Sequence, residues 1–148
     1  MTLLIRRATV DEIMPLRHAV LRPGYPSEAS HYAEDDVAVH IGAWEDAALV
    51  GCATVFADRW LGPPEVADAW RLRGMAVDPS RQGGGVGTQV LREAVSAARD
   101  AGAPVIWANA RTTALGFYLR HGWRVAGEEF LASDTGLPHH PILLELRA

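Results

Sequence analysis

The stretch Asp78-Pro79-Ser80-Arg81-Gln82-Gly83-Gly84-Gly85-Val86-Gly87-Thr88 holds the residue types of this chain best suited to chemistry. Val86, Val90, Ala94, Ala97, Ala98 and Ala101 follow at helical spacing, and Gly102 supplies a stop. The glycines therefore lie at a helix N-terminus, where the first N–H groups lack intrahelical acceptors and the macrodipole is positive. With no side chains in the way, those donors can face an anion, and a phosphate is the natural candidate. The alternative is a turn that only joins strand to helix. Two common phosphate loops do not fit. A Walker loop needs a lysine after its last glycine, and the chain has no lysine. A Gly-x-Gly-x-x-Gly dinucleotide loop starting at Gly83 or Gly85 would need glycine where Thr88 or Val90 stands. What fits is the spacing Gln82-x-x-Gly85-x-Gly87 behind Val77-x-Pro79.

Positioning such a loop takes a strand before it and a helix behind it. A central strand is predicted from about Ala67 to Val77, ended by Asp78-Pro79, because proline lacks a ladder donor and restricts its predecessor. Upstream, residues 2–8 alternate as a strand would, and Thr9 opens a capping box with Glu12 ahead of Ile13, Leu16, Val20 and Leu21. Arg22-Pro23-Gly24-Tyr25-Pro26 breaks that helix. The polar loop to about Asp36 is long enough to carry substrate contacts. Val37 to Trp44 and Ala48 to Phe56 flank Glu45-Asp46-Ala47 as an antiparallel hairpin, and Leu61-Gly62-Pro63-Pro64 makes a second break. Beyond the glycine helix, Pro104 to Ala108 reads as a short buried strand. Thr112 or Thr113 reads as the cap of a helix through Leu115 and Leu119 to Gly122. Two last strands span about Trp123 to Leu131 and Pro141 to Leu146. The order predicts an α/β (α+β mixed) fold, a mixed sheet flanked by helices, in one domain over residues 1–148.

At 148 residues the chain can bury about two thirds of its unfolded surface, and 49% of its residues are apolar. Eighteen acids against fourteen arginines give a net charge of -4, which argues against nucleic-acid or anionic-membrane partners. No apolar run approaches the ~20 residues of a membrane span, and Leu3-Leu4-Ile5 is too short for a signal segment. A cytoplasmic protein is expected, as monomer or homodimer. The single cysteine, Cys52, permits no intramolecular disulfide and sits in an apolar run, as a buried structural thiol would. His139-His140 is a weak metal signal, and no metal is expected.

The segment Gln82-x-x-Gly85-x-Gly87 after Val77-x-Pro79 closely resembles the acyl-CoA-binding motif of the GNAT superfamily of N-acetyltransferases. A second segment, Ala110-Arg111-Thr112-Thr113-Ala114-Leu115-Gly116-Phe117-Tyr118-Leu119-Arg120-His121-Gly122-Trp123, is similar to the GNAT pattern Asn-x-x-Ala-x-x-Phe-Tyr-x-x-x-Gly-Phe. Arg111 replaces the frequent asparagine and Trp123 the phenylalanine. Leu21-Arg22-Pro23-Gly24, Trp70 to Met75 and Gly136-Leu137-Pro138-His139 resemble a subset of the superfamily more closely still.

The resemblance implies a central mixed, mostly antiparallel sheet and acetyl transfer from acetyl-CoA, as co-substrate, to an amine of a small molecule or peptide. It implies that backbone groups of Met75, Ala76 and Val77 pair with the pantetheine arm and polarise the acetyl carbonyl. Gln82, Gly83, Gly84, Gly85, Val86, Gly87 and Thr88 would hold the pyrophosphate, with Arg81 and Arg111 as further cofactor contacts. Tyr118 would protonate the departing thiolate; its alternative is a core aromatic. For an alkyl amine of pKa near 10.4, deprotonation at pH 7 costs about 4.6 kcal/mol, so a base or water relay is useful. Glu65, Asp68 and His139 are the candidate bases. The rival readings are a non-catalytic acetyl-CoA sensor acting on a partner protein and a nucleotide-binding module of another fold.

Overall fold

The computed structural model describes residues 2–146. Its contacts gather into two units: one runs to Phe56 and resumes from Leu72 to Asp100, and the other takes Ala57–Arg71 and the described chain from Ala101 onward.

In the first unit, strand β1 (Leu3–Ala8) pairs antiparallel with β2 (Val39–Glu45), from Leu3↔Glu45 to Ala8↔His40. A two-residue turn, with Asp46 at φ 55°, returns the chain into β3 (Ala48–Ala57), antiparallel to β2. Asp is among the few residues that take left-handed φ readily. Strand β4 (Trp70–Val77) lies next in order to β3. Helix α1 (Val10–Leu21) starts on the expected capping box, with the Glu12 amide donating to Thr9 Oγ1 at 3.2 Å and the Thr9 amide to Glu12 Oε1 at 2.9 Å. Its Ile13 and Leu16 are buried with Cys52 and Ala76.

Helix α2 (Val86–Asp100) buries Val86, Val90, Ala94, Ala97 and Ala98 as the periodicity predicts, and adds Leu91 and Val95. Ala101 does not belong to that face: it is exposed beyond the helix end, where Gly102 turns the chain at φ 86°. The helix approaches β3 closely because Gly51 has no side chain; a Cβ there would lie 2.8 Å from Val86 Cγ1 and 3.1 Å from Val90 Cγ2.

The second unit contains the start of β4, whose Trp70 and Arg71 pair in parallel with Ile106 and Trp107 of β5 (Val105–Arg111). On its other side β5 is antiparallel to β8 (Pro138–Glu145), from Val105↔Glu145 to Arg111↔His139. Trp60, Ala69, Val105 and Leu143 form a core with Val66, Trp107 and Ala126 against it.

Several sequence-based boundaries move. Strand β4 begins at Trp70, not Ala67, because Val66 is bridged to Trp60 by reciprocal amide-to-carbonyl bonds of 2.9 and 3.0 Å. Strand β5 runs on to Arg111. Neither Thr112 nor Thr113 caps a helix: a 3₁₀ turn (Thr112–Ala114) leads into the short helix α3 (Leu115–Arg120), and no side chain caps either. The Thr112 hydroxyl instead bonds Glu129 at 2.9 Å. The strand expected over Trp123 to Leu131 is two short pieces, β6 (Arg124–Val125) and β7 (Phe130–Leu131), both on β8. Val125 faces Ile142 and Phe130 faces His139; between them stands Pro141, which has no N–H to give a ladder.

Candidate active site

The glycine loop is fastened before it is free. The Asp78 amide donates to Val50 O at 2.8 Å, and Asp78 Oδ1 accepts from the Ser80 amide (2.9 Å) and hydroxyl (2.7 Å). Those two bonds, the hydroxyl's first, hold the Asp78 carboxyl below its ordinary value. Arg81 ends a 3₁₀ turn (Pro79–Arg81), and its guanidinium grips Glu45, Nε to Oε2 at 2.6 Å and Nη2 to Oε1 at 2.8 Å. Gln82 Nε2 donates back to Val77 O at 3.3 Å. Gly83 and Gly85 then take φ 85° and 88°, and no atom lies within 4 Å of where a Cβ would stand on either. Glycine alone adopts such angles at no steric cost.

The first bond of helix α2 runs from the Gln89 amide to Gly85 O at 3.2 Å. Gly85, just ahead of the helix, has no side chain to accept from the amides of the first turn, and that turn carries no acid. Partial positive charge thus gathers beside glycines with open space around them. Met75 and Val77, on the strand leading in, are half-buried, whereas Ala76 is in the core.

Beside β4 lies a polar network that the sequence did not announce. Arg17 of α1 is wholly buried, donating from Nη1 to Asp35 Oδ2 (2.8 Å) and Ser30 O (2.9 Å), and from Nη2 to Asp35 Oδ1 (3.1 Å) and Thr54 Oγ1 (2.7 Å). His40 Nε2 donates to Asp35 O at 2.9 Å, and its Nδ1 meets Thr54 Oγ1 at 2.9 Å. Burial would raise the Asp35 carboxyl, but the bonds from Arg17 and the Tyr32 amide outweigh it and hold it below its ordinary value. The Tyr32 ring is sandwiched between the guanidiniums of Arg17 (4.0 Å) and Arg73 (3.8 Å), and Arg73 pairs with Glu34 at 3.5 Å. Gly74, at φ 63° inside β4, receives this ring: a Cβ there would lie 3.2 Å from Tyr32 Cε2 and 3.0 Å from Arg17 Nε. Cys52 donates its thiol to Gly74 O at 3.7 Å, and burial pushes that thiol up to about 12, an inert structural cysteine.

In the second unit, Tyr118 lies on α3 at 6% exposure, edge-on to Phe117 (5.2 Å) and Trp123 (5.4 Å). Burial pushes its phenol up. Arg111 ends β5 opposite His139. His139 Nδ1 donates to Leu137 O at 2.8 Å and its ring stacks on Phe130. Glu65 and Asp68 are exposed ahead of β4. Among the described residues no group of three His, Cys, Asp or Glu could hold a metal ion, and no helix is long and apolar enough to cross a membrane. Met75 to Val77 and Arg81 to Thr88 are therefore brought together in one unit, whereas Arg111, Tyr118 and the three candidate bases belong to the other.

Set beside known proteins, residues 8–123 match the sequence pattern of the Acetyltransferase (GNAT) family. The chain belongs to that family. YitI, an uncharacterized N-acetyltransferase of Bacillus subtilis (strain 168), is 30% identical over 141 residues, which cover 94% of this chain and 93% of YitI. The fold is shared with YncA of Salmonella typhimurium, solved with its cofactor acetyl-CoA, at a TM-score of 0.73 and 21% identity, over 100% of this chain and 96% of that one. It is shared too with an N-acetyltransferase of Staphylococcus aureus Mu50, at a TM-score of 0.74 and 15% identity, over 99% and 100%. The mixed sheet flanked by helices is thus the GNAT fold that the two sequence motifs implied.

Proposed function

We propose that this GNAT protein, acting as one domain over its whole length, transfers an acyl group, acetyl above all, from acyl-CoA to a primary amine of a small molecule or peptide. The observation that carries the reading is the loop at Gln82 to Thr88. Two open left-handed glycines precede a helix start free of acids, an arrangement that suits a pyrophosphate. The thioester brings an activated acetyl group and a thiolate leaving group. The backbone of the half-buried residues Met75 and Val77 is the segment that would align the pantetheine arm and donate to the acetyl oxygen. Arg111 is a further cofactor contact. Tyr118 serves as the proton donor: a phenol is already protonated at neutral pH, the form a donor needs, and burial disfavours its anion further.

Acetyl-CoA at a hundred times its Kd should stabilise the protein by roughly 2.7 kcal/mol in a thermal melt. A shift with ATP or NAD but none with CoA would overturn the cofactor. Incubation with acetyl-CoA and a panel of amino acids, polyamines, aminoglycosides and peptides should release CoA thiol above background for at least one acceptor. Tight CoA binding with background release throughout would favour a sensor. With an acceptor found, Tyr118→Phe should keep the acetyl-CoA Kd while kcat falls about 10²-fold; unchanged turnover would make Tyr118 a packing residue.

A further inference from the structure

The cation nearest the glycines in sequence is held by a carboxylate of the neighbouring hairpin. Between Val77 and Leu91 the only charged residues are Asp78 and Arg81. Asp78 is occupied with Ser80, and the Nε–Nη2 edge of the Arg81 guanidinium is occupied by Glu45, while Nη1 turns back to Ser80 O (3.5 Å) and Ser80 Oγ (3.3 Å). Glu45 is itself a fixed point. It closes the β2–β3 turn, in register with Leu3 on one side and Ala48 on the other, and its side chain is 15% exposed. Withdrawing Arg81 would leave that carboxylate without its counter-charge and without two charge-assisted bonds, so the pair resists opening. The bond to Arg81, chiefly, holds the Glu45 carboxyl below its ordinary value.

Glycines lose more conformational freedom on ordering than any other residue, and three stand together at 83–85. On their far side the loop is anchored by Val86, buried against Gly51 of β3. On their near side Gln82 gives one 3.3 Å bond back to Val77 O, and the last side chain held by an ion pair is Arg81. We infer that Arg81 and Glu45 are a positioning pair for the phosphate loop: the sheet's β2–β3 turn holds the loop in its binding shape, and the arginine does not itself contact the cofactor phosphate. The inference rests on the proposed cofactor, and it revises the expectation that Arg81 adds charge to the site.

The two roles give opposite signs in one substitution. Were Arg81 a phosphate ligand held back by Glu45, Glu45→Gln would remove a negative charge and release the cation, and acetyl-CoA would bind more tightly. For a positioning pair, Glu45→Gln and Arg81→Gln should each raise the acetyl-CoA Kd, by about tenfold, through lost preorganisation. The exchanged pair Glu45→Arg with Arg81→Glu should return Kd to within about threefold of wild type, although the cation has then left the loop. Titration calorimetry reads all four proteins. Hydrogen exchange of the Gly83–Gly87 amides without cofactor gives a readout independent of CoA: faster in both single variants, restored in the exchanged pair. Tighter or unchanged binding in Glu45→Gln, or amide exchange unmoved in the single variants, overturns the inference. If the exchanged pair fails to fold, the sign of Glu45→Gln still decides. If wild type binds no acetyl-CoA, the cofactor reading falls by itself and the exchange measurement decides the clamp.

Discussion

Arg17–Asp35 and Arg81–Glu45 are the same device in two settings. Each is a two-pronged guanidinium–carboxylate bond, one with side chains 0% and 8% exposed, the other 37% and 15%. The buried pair has further partners in Ser30 O and Thr54, and Asp35 also takes the Tyr32 amide, so neither charge is left to solvent. A buried ion pair is costly to break because removing one partner strands the other in a low dielectric. An accessible pair can fix a loop's geometry while adding little to global stability. Burial, more than bond length, therefore decides whether such a pair governs folding or local shape.

The largest test of that contrast is Asp35→Asn, which keeps the side chain's size and strands Arg17; we expect a loss of about 3–5 kcal/mol in urea unfolding at pH 7. A loss under about 1 kcal/mol would place the two pairs in the same class. The pH dependence sharpens it. The Asp35 carboxyl is lowered in the folded state, so its contribution is complete above the unfolded value near 3.9 and is lost as pH falls through the lower folded value. The gap between wild type and Asp35→Asn should accordingly be constant from pH 7 to 5 and shrink below about pH 4. A gap that widened in acid would contradict the assignment. Next in size is Gly74→Ala, which pushes a Cβ toward the Arg17 and Tyr32 side chains at left-handed φ; a loss of about 1–3 kcal/mol in the same assay is expected. Smallest is Glu45→Gln, whose melting temperature should stay within about 4 °C of wild type. A larger drop would mean that the loop pair, too, supports the whole fold.

What could be read in advance was what is local in sequence. The capping box at Thr9 and Glu12, the stop at Gly102 and the spacing from Gln82 to Gly87 each depend on neighbours a few residues apart, and each lies where expected. The Arg17 network joins residues 18 and 37 positions apart, with no period to betray it. Glu45 likewise read only as a turn residue, since nothing in its neighbourhood refers to Arg81. Two misses did have signals. An isolated glycine in a strand pattern, as at Gly74, marks a close approach, and a proline inside a strand, as at Pro141, marks a broken ladder. Tyr118 was legible as a motif residue; its burial depends on Trp123 and Phe117 closing around it.

The contact of Gly51 with Val86 bears on anyone who would transplant this loop. The height of helix α2 above the sheet is set by a missing side chain on β3, a strand that ends before the loop begins. Copied alone into another sheet, the loop would meet a Cβ at that place and its helix would ride outward, carrying the glycines with it. The smallest portable piece is the loop together with a hairpin that supplies a glycine under the helix start and a carboxylate at its turn.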